Sequence, residues 1–340
     1  MILNEDKILF HSTKIEKVDD PLARIFNFQN RYWAAIFTAL KILIEFVVIS
    51  FIVVTIVFFL LGSVPGSTSL TSGLSESQAI AIKAKYGLDL PLGQRYLKYL
   101  GDLFQGNFGI SLSIFPTVEI SQFIWQRFGT SFSVGIISVF VTILIGIPLG
   151  ILVGRKPGGL LDNASTLLIS VLVSVPSIVF SLILLLIGRS IGIPYIFDQA
   201  NFATYILPVL ALSLGSIVIY VRYIRTELNR ELNSMHAKFA YLKGVSRNRF
   251  VWMHALKPSL FPIATFFPGV ILGSFIGSLF IEQIFSIPGS GGLFLNAIQG
   301  QDFSIVLFLT IVFVFLTILS YTSRDILYRL IDPRIRRGGH

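Results

Sequence analysis

Six stretches of this chain are nearly free of charge and long enough to cross a bilayer. They run near 42–62, 130–154, 164–188, 204–222, 259–281 and 303–322. About 20 apolar residues rising 1.5 Å each cross the roughly 30 Å hydrocarbon core, so each stretch predicts one transmembrane helix. The apolar residues are continuous rather than alternating with period two, which argues against the strands of a closed barrel. Some forty residues of mixed charge precede the first stretch, and its apolar run is too long for a signal-peptide core. It therefore reads as a retained span.

The polar stretches between the spans have patterns of their own. After the first span, "SVPGSTSLTSG" reads as a flexible lead. "SESQAIAIKAKYG" then reads as a helix with Ser75 or Ser77 near its cap and Gly87 ending it. From Thr226, the apolar positions Leu228, Leu232, Met235, Phe239 and Leu242 step by 4, 3, 4 and 3, the rhythm of an amphipathic helix. Lys243 suits the last turn, and Gly244 suits the left-handed position that ends it. Ser246 can cap a second short helix carrying Phe250, Val251 and Trp252 and running to Pro258. A helix, a tight turn and a second helix thus leave the membrane. Their apolar residues either meet a protein partner or lie on lipid headgroups.

The spans are punctuated too. Gly146, Gly150 and Gly154 recur every four residues in the second, and Gly269, Gly273 and Gly277 in the fifth. Small residues at this spacing let another helix backbone approach closely; hinge or pathway roles are the alternatives. Pro148, Pro176, Pro208, Pro262 and Pro268 each remove a backbone donor and favour a kink. Ser170, Ser174, Ser177 and Ser181 are spaced 4, 3 and 4, which predicts a polar stripe on one face of the third span. The stripe either lines a wet route or packs against a helix, since serines can also bond their own i−4 carbonyls.

Composition agrees with a membrane protein, at 54% hydrophobic residues, 13% charged and a mean hydropathy of +0.78. The net charge of +9 orients the chain rather than pointing to nucleic acid. Of 27 Lys and Arg, 21 lie in the N-terminal arm, the 155–163 link, the 222–258 loop and the C-terminal tail. Only Lys83, Lys85, Arg95, Lys98, Arg127 and Arg189 lie in the alternate loops. The excess of basic residues on one side predicts that both termini and the 222–258 loop are cytoplasmic and meet anionic lipid.

Candidate chemistry is scarce. No cysteine is present, so thiolate metal sites and disulfides are excluded. His11, His236, His254 and His340 lack metal-ligand spacing, and no G-x-x-x-x-G-K-[ST] loop is present to cradle a nucleotide. Glu45 and Glu282 lie at the ends of spans, where each is expected to reach an interface. Without an ionisable residue at the midplane, a proton relay is not expected. Nor is covalent catalysis.

Residues 235–258 resemble the cytoplasmic "EAA" loop of ABC importer permeases. The peptide-family form is a helix ending A-x-x-K-G followed by S-x-x-R-x-x-x-x-H-A-L. Here these are Ala240, Lys243 and Gly244, then Ser246, Arg249, His254, Ala255 and Leu256. "YGLDLPLGQRYLKYLGDLFQGNFGISLS" (86–113), "SVPSIVF" (174–180), "IEQIFSIPGSGGL" (281–293) and "LIDPRIR" (330–336) resemble further signatures of dipeptide and oligopeptide permeases, in family order. Two positions depart. Lys238 stands where the general loop motif opens with an acid, and Asn107 where an external G-D-x-G has Asp.

The resemblance implies an all-α integral membrane protein with six transmembrane helices in the type I ABC importer permease fold. A cytoplasmic arm (1–40) leads to a first helix (41–62) and an extracytoplasmic segment (63–127). A five-helix transmembrane domain (128–326) carries the coupling loop 222–258, and a cytoplasmic tail (327–340) follows. It further implies a second homologous permease subunit, two cytoplasmic ATPase subunits that bind ATP and Mg, and an extracytoplasmic substrate-binding protein. This chain would itself bind no cofactor and hydrolyse nothing. Lys238, Phe239, Ala240, Leu242, Lys243, Gly244, Ser246, Arg249 and His254 would form the coupling loop, with Phe239, Ala240 and Leu242 meeting the ATPase. The expected solute is a peptide, with glutathione or a nickel chelate as alternatives in the same class. A channel or secondary carrier is the reading from another class.

Overall fold

The computed structural model describes residues 21–63, 76–77, 80, 83–84, 87 and 89–331. The first twenty residues, the "SVPGSTSLTSG" lead beyond Ser63, Ser75, His340 and the end of the "LIDPRIR" signature lie outside them. Glu76, Ser77, Ile80, Lys83 and Ala84 are helical, and Gly87 follows at φ +66° with its N–H on the Ala84 carbonyl. The expected helix of this stretch thus ends at the glycine.

The chain divides into two units, residues 1–47 and 48–340. In the first, the described residues belong to helix α1 (Pro21–Gly62), which begins well before the apolar stretch; from Ala39 onward it is apolar enough to cross a membrane. Trp33, Phe37, Leu40 and Leu43 are exposed, and Lys41 pairs with Glu45 at 3.6 Å one turn on.

Among the described residues, the second unit holds the rest of α1, the helical residues before Gly87 and eleven further helices. These are α2 (Leu92–Phe104), α3 (Ile120–Gly154), α4 (Leu160–Ser174) and α5 (Ser177–Ser190). A 3-10 turn leads into α6 (Ile206–Leu232), followed by α7 (Met235–Leu242) and α8 (Arg247–Phe250). A π turn (Val251–Ala255) joins α8 to α9 (Leu256–Ile276), and α10 (Leu279–Ile284), α11 (Ser290–Gln299) and α12 (Phe303–Ile331) complete the bundle. Among the described residues, five helical segments are apolar and long enough to span, and the bent α4–α5 pair makes a sixth if it counts as one span. No strand occurs among the described residues, only an isolated bridge between Ile110 and Glu119.

The third predicted span is not one straight helix. Pro176 cannot donate to the ladder, the chain extends at Val175, and α4 and α5 meet at 99°. The fifth also breaks, at Gly277 and Ser278, where the glycine takes φ +73°. Pro262 and Pro268 stay inside α9 without ending it. The wide π turn sits just before Pro258, whose missing N–H leaves the ladder open there.

Long apolar helices alone do not fix a bundle in lipid, so close packing of small residues matters. A Cβ at Gly146 would lie 3.1 Å from Tyr220 Cβ, and one at Gly150 2.8 Å from Ile224 Cβ. One at Gly154 would lie 3.0 Å from Arg225 Cα. All three glycines therefore face α6. Near the C-terminal end of α1, Val54 and Phe58 pack with Tyr96 of α2 and Leu307 of α12, and Thr55 bonds the Tyr96 hydroxyl at 2.5 Å.

Candidate functional site

The 222–258 connection is not one amphipathic helix with a single stripe. Helix α6 ends at Leu232, and Ser234 starts α7 by accepting the Ala237 N–H at 3.3 Å. The stripe divides at that break. Leu228 and Leu232 turn inward onto a small core of Ala237, Phe250, Val251 and Ala255. Met235, Phe239 and Leu242 remain 65%, 60% and 84% exposed. Ala240, expected beside Phe239 at a partner surface, is half-buried against that core instead.

The turn between the short helices has the expected chemistry. Gly244 takes φ +80°, its N–H bonds the Tyr241 carbonyl at 2.9 Å, and the Val245 N–H bonds Ala240 at 3.1 Å. This double closure satisfies carbonyls left open by the end of α7. Ser246 accepts the Arg249 N–H at 3.4 Å and so caps α8. Phe250 is buried among the rings of His236, Tyr241 and His254, with centroids 5.3 to 5.5 Å away. Lys238, Lys243, Arg249 and His254 lie on the exposed side of this hairpin, where Arg249 Nε donates to Met253 Sδ at 3.4 Å. Trp252 and Met253 are exposed as well.

The four serines do not form one stripe, because the bend at Pro176 separates them. Ser170 and Ser174 sit on α4, where they line an open groove with Asn163, Thr166 and Arg225. Ser177 and Ser181 sit on α5; Ser177 is exposed and Ser181 fully buried. The hydroxyls of Ser170, Ser174 and Ser181 donate to the carbonyls four residues back, at 2.7 to 2.8 Å.

The glycine series of the fifth span also divides. Gly269 faces Ser320 of α12, Gly273 has nothing within 4 Å of a Cβ, and Gly277 breaks the helix. A Cβ at Gly277 would collide with the Glu282 carboxylate, and one at Gly289 would too. Backbone room for that carboxylate, not helix packing, explains the last member.

Glu282, expected to reach an interface, is instead 4% exposed. Ser131 Oγ donates to its Oε1 at 2.7 Å, Ser278 N–H to Oε1 at 3.3 Å, and Gly292 N–H to Oε2 at 2.6 Å. Ser131 in turn accepts from the Ser290 N–H at 2.8 Å. The carboxylate thus ties α3 to the break after α9 and to the first turn of α11. It also borders a cavity of about 170 Å³ walled by Gly135, Ser138, Ser216, Gly273 and Ser274.

Two further buried acids escape sequence reasoning. Asp162 receives a bidentate bond from Arg225 and the Gly158 N–H at 2.8 Å, joining α4 to α6. Asp302 precedes α12 like an ordinary cap. Its Oδ2 instead accepts from Ser111 Oγ at 2.5 Å and from the N–H groups of Leu112, Ser113 and Ile114 at 2.9 to 3.1 Å. Both residues flank apolar runs, the one visible signal, but their partners lie far away in sequence. No group of residues able to hold a metal occurs among the described residues.

Comparison with known proteins places this geometry. The family described as binding-protein-dependent transport system inner membrane component matches residues 146–337. The dipeptide transport system permease protein DppB of Lactococcus lactis is 35% identical over 287 residues, covering 84% of this chain and 94% of the relative. The oligopeptide transport system permease protein OppB of Haemophilus influenzae is 34% identical over 300 residues, covering 87% and 98%. OppB of Escherichia coli is 32% identical over 291 residues, covering 84% and 94%. A multi-pass helical bundle and a signature hairpin at Gly244 accompany these matches, and the chain belongs to the binding-protein-dependent transport system inner membrane component family, the permeases of ABC importers.

Proposed function

We propose that this chain is one of two homologous permease subunits of an ATP-driven peptide importer. It forms the pathway with its counterpart, receives peptide from an extracytoplasmic binding protein, and is driven by two cytoplasmic ATPases that hold ATP and Mg. The observation that carries the reading is the apolar edge of α7, where Met235, Phe239 and Leu242 stand exposed above a core fixed by Phe250. An edge of this kind on a hairpin with its own core suits a rigid partner surface. The 21-to-6 division of basic residues supports a cytoplasmic position for the hairpin and for both termini. The names of the curated relatives support peptide as the solute.

On this reading, closure of the ATPases displaces α7. The buried contacts of Leu228, Leu232 and Phe250 pass the motion to α6, and the continuous run through the π turn passes it to α9. Bundle halves then re-tilt as rigid bodies between inward and outward openings. Glu282 is saturated by donors inside the fold, which supports a structural role for it rather than a proton relay.

The test is reconstitution. With the second permease, the ATPases and the binding protein present, liposomes should take up peptide only when ATP is supplied on the α7 side. Uptake by the isolated chain under a proton gradient without ATP would overturn the importer reading.

A further inference from the structure

A second cavity, of about 390 Å³, opens beside α2 at the ends of α1 and α12. Its walls carry two cations, Arg95 and Lys98, and two carboxylates, Asp102 and Glu119. Among the described residues, none of the four forms an ion pair with another. Among the described residues, the Glu119 carboxylate accepts from the neighbouring Ser121 hydroxyl at 3.3 Å and from no cation. Charges free to move on a surface this crowded would ordinarily pair with one another. Arg95 and Asp102 are half-buried in the cleft wall, while Lys98 and Glu119 are exposed at it.

Arg95 and Lys98 project from successive turns of α2. Arg95 is half-buried, and burial holds its guanidinium below the usual value, so the cleft keeps an incompletely solvated cation without a counter-ion. The Lys98 ammonium lies over Gly87, 3.0 Å from where a Cβ would stand. Between the charges the floor is aromatic and aliphatic, from Phe58, Tyr99, Phe108 and Leu307. Asn107, at the rim, adds no charge and spends its carbonyl oxygen on the Gly109 N–H at 3.0 Å.

We propose that this cleft is a binding site for the zwitterionic backbone of a short peptide, separate from the pathway inside the bundle. The peptide carboxylate meets Arg95 and Lys98, its ammonium meets Asp102 and Glu119, and its side chains rest on Tyr99 and Phe108. Two charges of each sign match a ligand that carries one of each, and charge-assisted bonds to both ends add to the apolar contact. The volume lies within the roughly 300–1,000 Å³ of small-molecule pockets. The choice of peptide as ligand rests on the importer reading above. The site itself rests on the unpaired charges.

The experiment titrates alanyl-phenylalanine, its N-acetyl form and its C-terminal amide into the full-length chain in lipid nanodiscs, followed by ligand-observed NMR. The free dipeptide is expected to bind saturably at millimolar concentration, and blocking either end should weaken it about tenfold, the worth of one charge-assisted bond. Arg95→Gln and Lys98→Gln, both away from the buried core, should weaken the free dipeptide similarly but leave the amide's binding unchanged. Absence of saturable binding, or equal binding by wild type and both variants, overturns the site. Loss of binding-protein capture in Arg95→Gln with unchanged dipeptide titration makes the cleft a protein-docking surface and also overturns it. Peptide uptake by the assembled wild-type transporter is measured in parallel. Its failure removes the importer reading, whereas intact uptake with no binding at the cleft removes only this site.

Discussion

The Ser131 hydroxyl donates to the Glu282 carboxylate at 2.7 Å, linking the second membrane helix to the break that follows α9. Glu282 takes its other donors from the backbone at Ser278 and Gly292. A buried carboxylate is tolerable only while such donors surround it. The collisions that a Cβ would meet at Gly277 and Gly289 show how tightly the backbone is folded around it.

Ser131→Ala should therefore destabilise the purified chain by about 1–3 kcal/mol, because it leaves one carboxylate oxygen short of a donor. Glu282→Gln should cost more, since its amide NH2 must face a backbone N–H at Ser278 or Gly292. Thermal unfolding in detergent reads both. An unfolding temperature for Glu282→Gln equal to wild type would show that the carboxylate does not hold this junction.

The glycines of α3 make a second prediction. Gly150→Val would place its branches against Ile224, and overpacking of this kind costs about 1–3 kcal/mol. Gly273→Ala has open space and should unfold within about 0.5 kcal/mol of wild type. Equal destabilisation of the two would mean that contact with Ile224 does not set the cost at Gly150.

Gly244 has empty space around a Cβ but a left-handed backbone, so a substitution there acts through conformation alone. Gly244→Val should cost about 1–2 kcal/mol locally and re-aim α7, while Gly244→Asn should be better tolerated. Membrane insertion should survive, with ATPase association and coupled uptake reduced in the valine variant. Normal association and uptake in that variant would remove the coupling role.

Orientation can be read by labelling, and the cysteine-free chain makes single-cysteine variants clean. Leu242→Cys and Phe104→Cys replace strongly exposed residues of α7 and α2. They should react with a membrane-impermeant maleimide from opposite sides of the bilayer, Leu242→Cys from the cytoplasm. Reaction of both from one side would refute the topology.

The serines give the last contrast. Ser174→Trp projects into an open groove and should leave the unfolding temperature unchanged while slowing uptake, if that groove belongs to the route. Ser181→Trp replaces a fully buried side chain and should destabilise the bundle outright. Unchanged uptake in Ser174→Trp would leave the groove outside the pathway.

The sequence by itself determined the helical membrane class, where the apolar helices lie, the Gly244 turn and the Ser246 cap. Each follows from residues close in sequence, through hydropathy, periodicity or a single backbone requirement. It also carried the family signatures, which the comparisons bear out. Tertiary structure decided what depends on distant partners. The regular spacing of Ser170 to Ser181 assumed one straight helix, and the extended residue before Pro176 turned it by 99°. The stripe from Leu228 to Leu242 assumed one face, and the break at Ser234 sent its two halves to a core and to the surface. Glu282 read as an acid at a span end that would reach an interface, and Asp162 and Asp302 carried no reading at all. Only folding brings Ser131, Arg225 and the 111–114 backbone to them, because the donors that make a buried carboxylate affordable come from elsewhere in the chain.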